Sequence, residues 1–187
     1  MKKGNLFVLS APSGAGKSSV LSSLIEMEKT ITTSVSHTTR EPRGNEKNGL
    51  DYYFVSKSRF LEMAKEGEFL EFAEVFGNLY GTSKKAIAEK QEKGLDVILE
   101  IDWQGANQLM ALDSDITSIF LLPPSLSDLE ARLIKRGQDS QESINRRLAQ
   151  AEDDMRQSAN YQHTLTNNIL DETMDQLFSI IKNRSET

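Results

Sequence analysis

Cysteine is absent from all 187 residues, which excludes disulfides and thiolate metal centres and suits a reducing compartment. Long apolar runs are missing as well. No stretch approaches the ~18 consecutive apolar residues of a membrane-spanning helix, so no membrane partner is expected. Near the start, Met1-Lys2-Lys3 and Leu6-Phe7-Val8-Leu9 imitate a secretory leader, but the apolar run stops at Ser10 and Pro12. That is short of the ~7–15 residues of a leader's core, and the expected location is cytoplasmic. Positive charge is in deficit. The 28 acidic and 22 basic side chains leave a net charge of −6, which argues against a broad nucleic-acid-binding surface. Any anion bound here must be gripped by local arginine clusters and backbone amides. Histidine is scarce too. His37 and His163 are not arranged as a catalytic pair and read as polar packing or surface.

What is present is ordinary in bulk: 37% hydrophobic and 27% charged residues, in a chain long enough to bury a sizeable core. Leu6–Ser10, Val97–Ile101 and Ile116–Leu122 read as short buried strands. Between and after them, helices are expected over Lys17–Glu26, Ser83–Lys93, Leu126–Arg136, Ser143–Tyr161 and Glu172–Lys182, with a last short strand at Leu165–Thr166. This alternation predicts an α/β fold, a parallel sheet flanked by helices. Residues 36–83 break the rhythm. They hold a long polar loop (36–50), a strand at Tyr52–Val55, and a helix over Ser58–Glu66 with Ser58 as N-cap. A strand at Phe69–Phe76 follows, with turns at Gly77-Asn78 and Gly81. This stretch reads as a mixed α/β insertion, and 125–157 as a second, mobile one. The core is then 1–35, 84–124 and 158–187.

Ala11-Pro12-Ser13-Gly14-Ala15-Gly16-Lys17-Ser18 fits the Walker A pattern with alanine at the first glycine position. It follows a strand and opens a helix, as a P-loop NTPase fold requires. Gly14 and Gly16 let successive N–H groups converge on phosphate oxygens, and the helix start adds its positive end. Lys17 is placed to reach the β- and γ-phosphates, and the Ser18 hydroxyl to bind Mg²⁺. Ala11 is compatible if its φ is negative. The loop by itself implies a nucleoside triphosphate with Mg²⁺, held by Ala11 through Ser18 together with Ser19.

Glu100 and Asp102 end an apolar strand at i and i+2. Ligands of parallel sheets sit at strand carboxyl ends, so both are candidates to support Mg²⁺ through water. Asp102-Trp103-Gln104-Gly105 also matches the D-x-x-G of GTP switches, but no N-K-x-D accompanies it.

Arg40 and Arg43 form one arginine cluster, in a loop stiffened by Pro42. Arg132, Arg136, Arg146 and Arg147 form another around Gly137. Paired guanidinium groups suit a bidentate grip on phosphate, although from the residues alone such arginines are more often solvated surface, the reading kept here for Arg146. The wider pattern is more specific. Ser36-x-Thr38-Thr39-Arg40-x-Pro42-Arg43, Asn48-Gly49-x-Asp51-Tyr52-x-Phe54, Phe69-Leu70-Glu71, Gly77-Asn78-Leu79-Tyr80-Gly81-Thr82 and Glu100 through Gly105 resemble the guanylate kinase family, in order and over nearly the whole chain. So do Leu121 through Ser125, Arg132-Leu133-x-x-Arg136-Gly137 and Ser143-Ile144-x-x-Arg147-Leu148.

The resemblance implies that 36–83 binds GMP. Arg40, Arg43, Tyr52 and Tyr80 hold its phosphate, while Ser36, Glu71 and Thr82 read guanine with Glu100 nearby. It implies that 125–157 is a lid whose Arg136 and Arg147 close on the ATP phosphates. Asn167 matches a position near adenine, followed here by Asn168-Ile169, a departure from the family's acidic pair. Lys17, Arg40, Arg136 and Arg147 are the implied catalytic residues. One carboxylate at Glu71 can accept guanine N1–H and N2–H together, whereas adenine's N1 is itself an acceptor. Such mismatches discriminate by roughly 10⁴–10⁵. The strand pattern by itself does not choose Glu71 over Glu74. Nor does the sequence set an oligomeric state. Three other readings are weighed beside this one: a kinase for another nucleoside monophosphate, a GTP-dependent switch, and a non-catalytic interaction module. The intact Lys17 and Ser18 speak against the last.

Overall fold

The computed structural model describes residues 2–113, 115–137 and 140–185. β1 (Leu6–Ser10) is nearly all buried, as a strand with no polar face must be when both sides of its sheet are covered. It lies at the centre of a five-stranded sheet with β2 (Ile31–Thr33), β7 (Asp96–Glu100), β8 (Thr117–Leu122) and β9 (His163–Thr166), in the order β2-β7-β1-β8-β9. Every pairing is parallel.

Side chains of β1 alternate between two cores, as the strand's period of two requires. Phe7 and Leu9 pack with Ile98, Ile119 and the buried faces of α1 (Lys17–Met27) and α7 (Leu170–Ser185). Val8 packs on the other side with Leu99, Phe120 and Leu109 of α4 (Trp103–Leu112), near Ile87 of α3 (Lys84–Glu92). Each of these buried side chains contributes roughly 1.5–3 kcal/mol. The sheet is therefore held by its two apolar layers rather than by helix propensity.

The insertion folds as a second sheet, β4-β3-β6-β5, from β3 (His37–Thr38), β4 (Tyr53–Phe54), β5 (Phe69–Val75) and β6 (Asn78–Ser83). Its small core of Phe60, Met63 and Phe69 is closed by α2 (Lys57–Lys65). The hairpin β5–β6 is antiparallel and runs directly into α3. The arginine-bearing α5 (Leu126–Arg136) and α6 (Gln141–Arg156) pack on one another through Leu129, Leu133, Ile144 and Ala151. A short 3-10 turn (Gln157–Asn160) returns the chain to β9.

Several local expectations are corrected. Ser56, not Ser58, caps α2: its hydroxyl accepts the Arg59 amide at 3.2 Å, while Ser58 only pairs with Ser56. Gly81 lies inside β6 rather than in a turn. A Cβ there would meet Phe60 at 2.9 Å and Phe69 at 3.0 Å, so the glycine lets two rings approach the strand. The 36–50 loop contains β3, and β2 had no counterpart in the expectation. Strands of two and three residues carry too little pattern to read. The helix expected to run to Tyr161 ends at Arg156.

Candidate active site

Between β1 and α1 the backbone bends through Gly14 (φ 93°) and Gly16 (φ 96°), left-handed values that cost an L-residue with a Cβ. Ala11 is not among the positive-φ residues. It packs against the core instead, so the first position of the loop accommodates a methyl group. Gly16 is the N-cap of α1 and offers no side-chain hydrogen bond. The first-turn amides of α1 are thereby left for an anion. Lys17 Nζ donates to the Ile101 carbonyl at 3.4 Å and the Ser18 hydroxyl donates to Glu100 Oε1 at 2.7 Å, which ties the loop to the carboxyl end of β7.

The loop is braced from behind. Asn167, 5% exposed, donates its side-chain amide to the Ala15 carbonyl at 2.8 Å. Arg132 donates to the same carbonyl at 3.0 Å and to the Asn167 carbonyl at 2.7 Å. The Asn167 side chain therefore faces the underside of the loop. From above, α6 brings buried Arg147 within 3.1 Å of the Ser13 hydroxyl, to which it donates. Arg136, at the end of α5, is exposed and lines the same cleft. Further along α6, Asp154 accepts the Trp103 indole N–H at 3.0 Å, and burial raises its carboxyl above the usual range.

Across the cleft, Arg40 is 9% exposed and donates to the Glu41 carbonyl at 2.7 Å and to Glu46 at 2.9 Å. Its guanidinium lies 5.4 Å from the Tyr52 ring centre, and Tyr52 meets Tyr80 edge-on. Burial, then the Glu100 charge, pushes the Tyr52 hydroxyl up to about 12, so it stays a neutral donor at physiological pH. Arg43 carries no such restraint on its side chain, but its amide donates to Glu46 at 2.7 Å.

Glu71 and Glu74 are separated by the pleat of β5. Glu71 shares the buried face with Phe69 and Ala73, while Glu74 is exposed. Across the hairpin Glu71 stands opposite Thr82, whose hydroxyl lies 3.4 Å from that of Ser36. Burial, opposed by Thr82 and reinforced by the Asp102 charge, pushes Glu71 up to about 7. The two acids at the end of β7 thus part company. Glu100 meets Ser18 at the phosphate loop, whereas Asp102 caps α4 through the Gly105 amide at 3.0 Å beside Glu71.

One cleft of about 1100 Å³ joins the phosphate loop to this pocket, larger than the ~300–1,000 Å³ of a typical single-ligand site. Every sequence-predicted site residue lines it except Thr82, which is fully buried behind Glu71, and Asn167, which lies beneath the loop. Sequence reasoning missed Glu46, which restrains Arg40, and Arg132 as a brace. It also missed Gln150 and Asp154, which line the cleft. Their spacing from Arg147, three and seven residues on, puts all three on one helix face and could have signalled them. Among the described residues no group of three or more His, Cys, Asp or Glu is placed to hold a metal. None of their helices is long and apolar enough to cross a membrane.

A family model described as Guanylate kinase matches residues 3–184. A guanylate kinase of Hahella chejuensis is 47% identical over 182 residues, covering 97% of this chain and 88% of that protein. One from Haemophilus influenzae is 48% identical over 190 residues, covering 100% and 91%. The crystal structure of guanylate kinase from Anaplasma phagocytophilum superposes with a TM-score of 0.82 at 35% identity, over 100% of this chain and 89% of that one.

Proposed function

The chain belongs to the guanylate kinase family, and on that premise we propose that it transfers the γ-phosphoryl group of ATP to GMP, giving ADP and GDP, in cytoplasmic purine metabolism. One observation carries the reading. A single cleft holds a phosphate loop at one end and, at the other, a buried carboxylate beside two hydroxyls. Donor and acceptor nucleotides fit there end to end.

In this reading Ala11 to Ser19 cradle the ATP phosphates, and Asn167 acts from below by holding the Ala15 carbonyl. Arg40, Arg43, Tyr52 and Tyr80 grip the GMP phosphate, while Glu71 and Ser36 read the guanine and Thr82 supports that reading from behind Glu71. Residues 36–83 are the GMP-binding segment and 125–157 the lid, closing on a core of 1–35, 84–124 and 158–187.

Magnesium suits the residues present. Mg²⁺ keeps several waters and takes one or two protein oxygens plus substrate phosphates, so the Ser18 hydroxyl with Glu100 beside it suffices, with Asp102 further off. Bound there with ATP, it would neutralise phosphate charge. The protein's own part is positioning and electrostatics. A GMP phosphate oxygen is already anionic, so it needs no general base. It bonds to the γ-phosphorus as the bond to the β–γ bridging oxygen breaks and ADP departs. Lys17, Arg40, Arg136 and Arg147 neutralise the charge that spreads over the transferring group.

A coupled ADP-release assay with AMP, CMP, GMP and UMP tests this. We expect ADP formation that depends on GMP and is at least about tenfold slower with the other three. Absence of GMP-dependent ADP formation by folded protein would refute the proposal.

A further inference from the structure

Gly105 lies in the first turn of α4, where a glycine weakens the helix relative to alanine. Its φ is not positive, so no backbone conformation demands it. Space does. A Cβ built at Gly105 would stand 2.2 Å from Glu71 Oε2 and 3.0 Å from Glu71 Cδ, with Asp102 Oδ1 next at 3.5 Å. The Glu71 carboxylate therefore rests directly on the bare Cα of a helix belonging to the core, not to its own sheet.

The strand carrying Glu71 has no freedom to withdraw. Gln108, one turn further along α4, donates its side-chain amide to the Phe72 carbonyl at 2.8 Å and accepts the Phe72 amide at 3.4 Å. It pairs with β5 as a neighbouring strand would. Gln104 donates to the Glu74 carbonyl at 3.3 Å. With β5 held to α4 at Phe72 and Glu74, the residues just after Glu71, a methyl group at position 105 must be absorbed by the Glu71 side chain. Its carboxylate is the movable far end of that chain. The fold can yield there cheaply; a base-reading contact cannot.

We propose that Gly105 is a specificity-determining residue for the acceptor nucleotide. Its missing side chain sets the position of the Glu71 carboxylate, and α4 with its two glutamines serves as the template that aligns β5 for reading guanine. This rests on the assignment of Glu71 as the guanine reader.

The test is a double-mutant cycle of Gly105→Ala and Glu71→Ala, with thermal melts to confirm folding and initial rates against each substrate. For Gly105→Ala we expect KM for GMP to rise roughly 10- to 100-fold. KM for ATP should stay within about twofold, and the melting temperature should be equal or higher, because alanine favours the helix. In the Glu71→Ala background, where the space is vacated, the same substitution should cost little, a strongly non-additive cycle. A Gly105→Ala enzyme with unaltered KM for GMP, or with effects that add to those of Glu71→Ala, overturns the proposal. If Glu71→Ala itself leaves KM for GMP intact, the guanine-reading assignment fails instead, and the two failures are distinguishable.

Discussion

GMP binding should be linked to a proton on Glu71. The side chain is 4% exposed, and its carboxyl is pushed from an ordinary 4.5 up to about 7, chiefly by burial. Thr82 opposes the shift and Asp102 adds to it, while no cation contributes. The free pocket is thus near half-protonated at neutral pH. Guanine presents two donors side by side, so the bound form requires the carboxylate, and binding releases a proton as pH falls below 7. For a site titrating near 7, the ionised fraction drops about tenfold from pH 8 to pH 6. GMP affinity should fall by the same factor, about 1.4 kcal/mol.

The GMP phosphate itself titrates near ~6, which would imitate part of this trend. Glu71→Gln removes only the protein's contribution, so the difference between the two enzymes isolates it. Isothermal titration in two buffers of different ionisation enthalpy counts the protons directly. The sign for folding is opposite. A carboxyl raised in the native state stabilises the fold below its unfolded value, and that stability is lost as pH rises from about 4.5 through 7. In the ligand-free enzyme the loss is at most roughly 3 kcal/mol. Identical pH profiles for wild type and Glu71→Gln, or proton uptake on GMP binding at pH 6.5, would refute the reasoning.

Two more outcomes follow from the donor end. Lys17→Ala should abolish turnover yet leave GMP binding measurable by calorimetry, because Lys17 faces the Ile101 carbonyl at the phosphate-loop end of the cleft. Asn167→Ala should raise KM for ATP more than KM for GMP. It should also cost roughly 1–3 kcal/mol in denaturant unfolding, since the buried Ala15 carbonyl loses one of its two side-chain donors.

Much of the core was legible because its signals are local. β1, β7 and β8 each carry a short apolar run (Leu6–Leu9, Val97–Leu99 and Ile119–Leu122), and the phosphate loop is contiguous. α4 escaped because Gly105 interrupts its helical preference and Asp102 through Gly105 reads equally as a switch motif. The acceptor pocket was not legible from pattern alone. Glu71, Thr82 and Ser36 lie on three different segments, and only the β5–β6 register brings the first two together. The choice between Glu71 and Glu74 turned on which face of β5 packs inward, a fact about its neighbours rather than about the strand. The bond from the Asn167 side chain to the Ala15 carbonyl was not legible either. A buried carbonyl needs a partner, and no sequence motif records that need.

The Gln108 pairing with Phe72 has a bearing on solution behaviour. β5 is an edge strand, seven residues long and largely apolar, with Phe72 43% exposed. Unpaired backbone on such an edge is a template for foreign strands and hence for aggregation. The amide of Gln108 occupies one donor and one acceptor at the middle of that edge, and Gln104 takes another acceptor. The helix that packs along the strand thus also shields it from other chains, and the same pair of glutamines that holds β5 in place guards its edge.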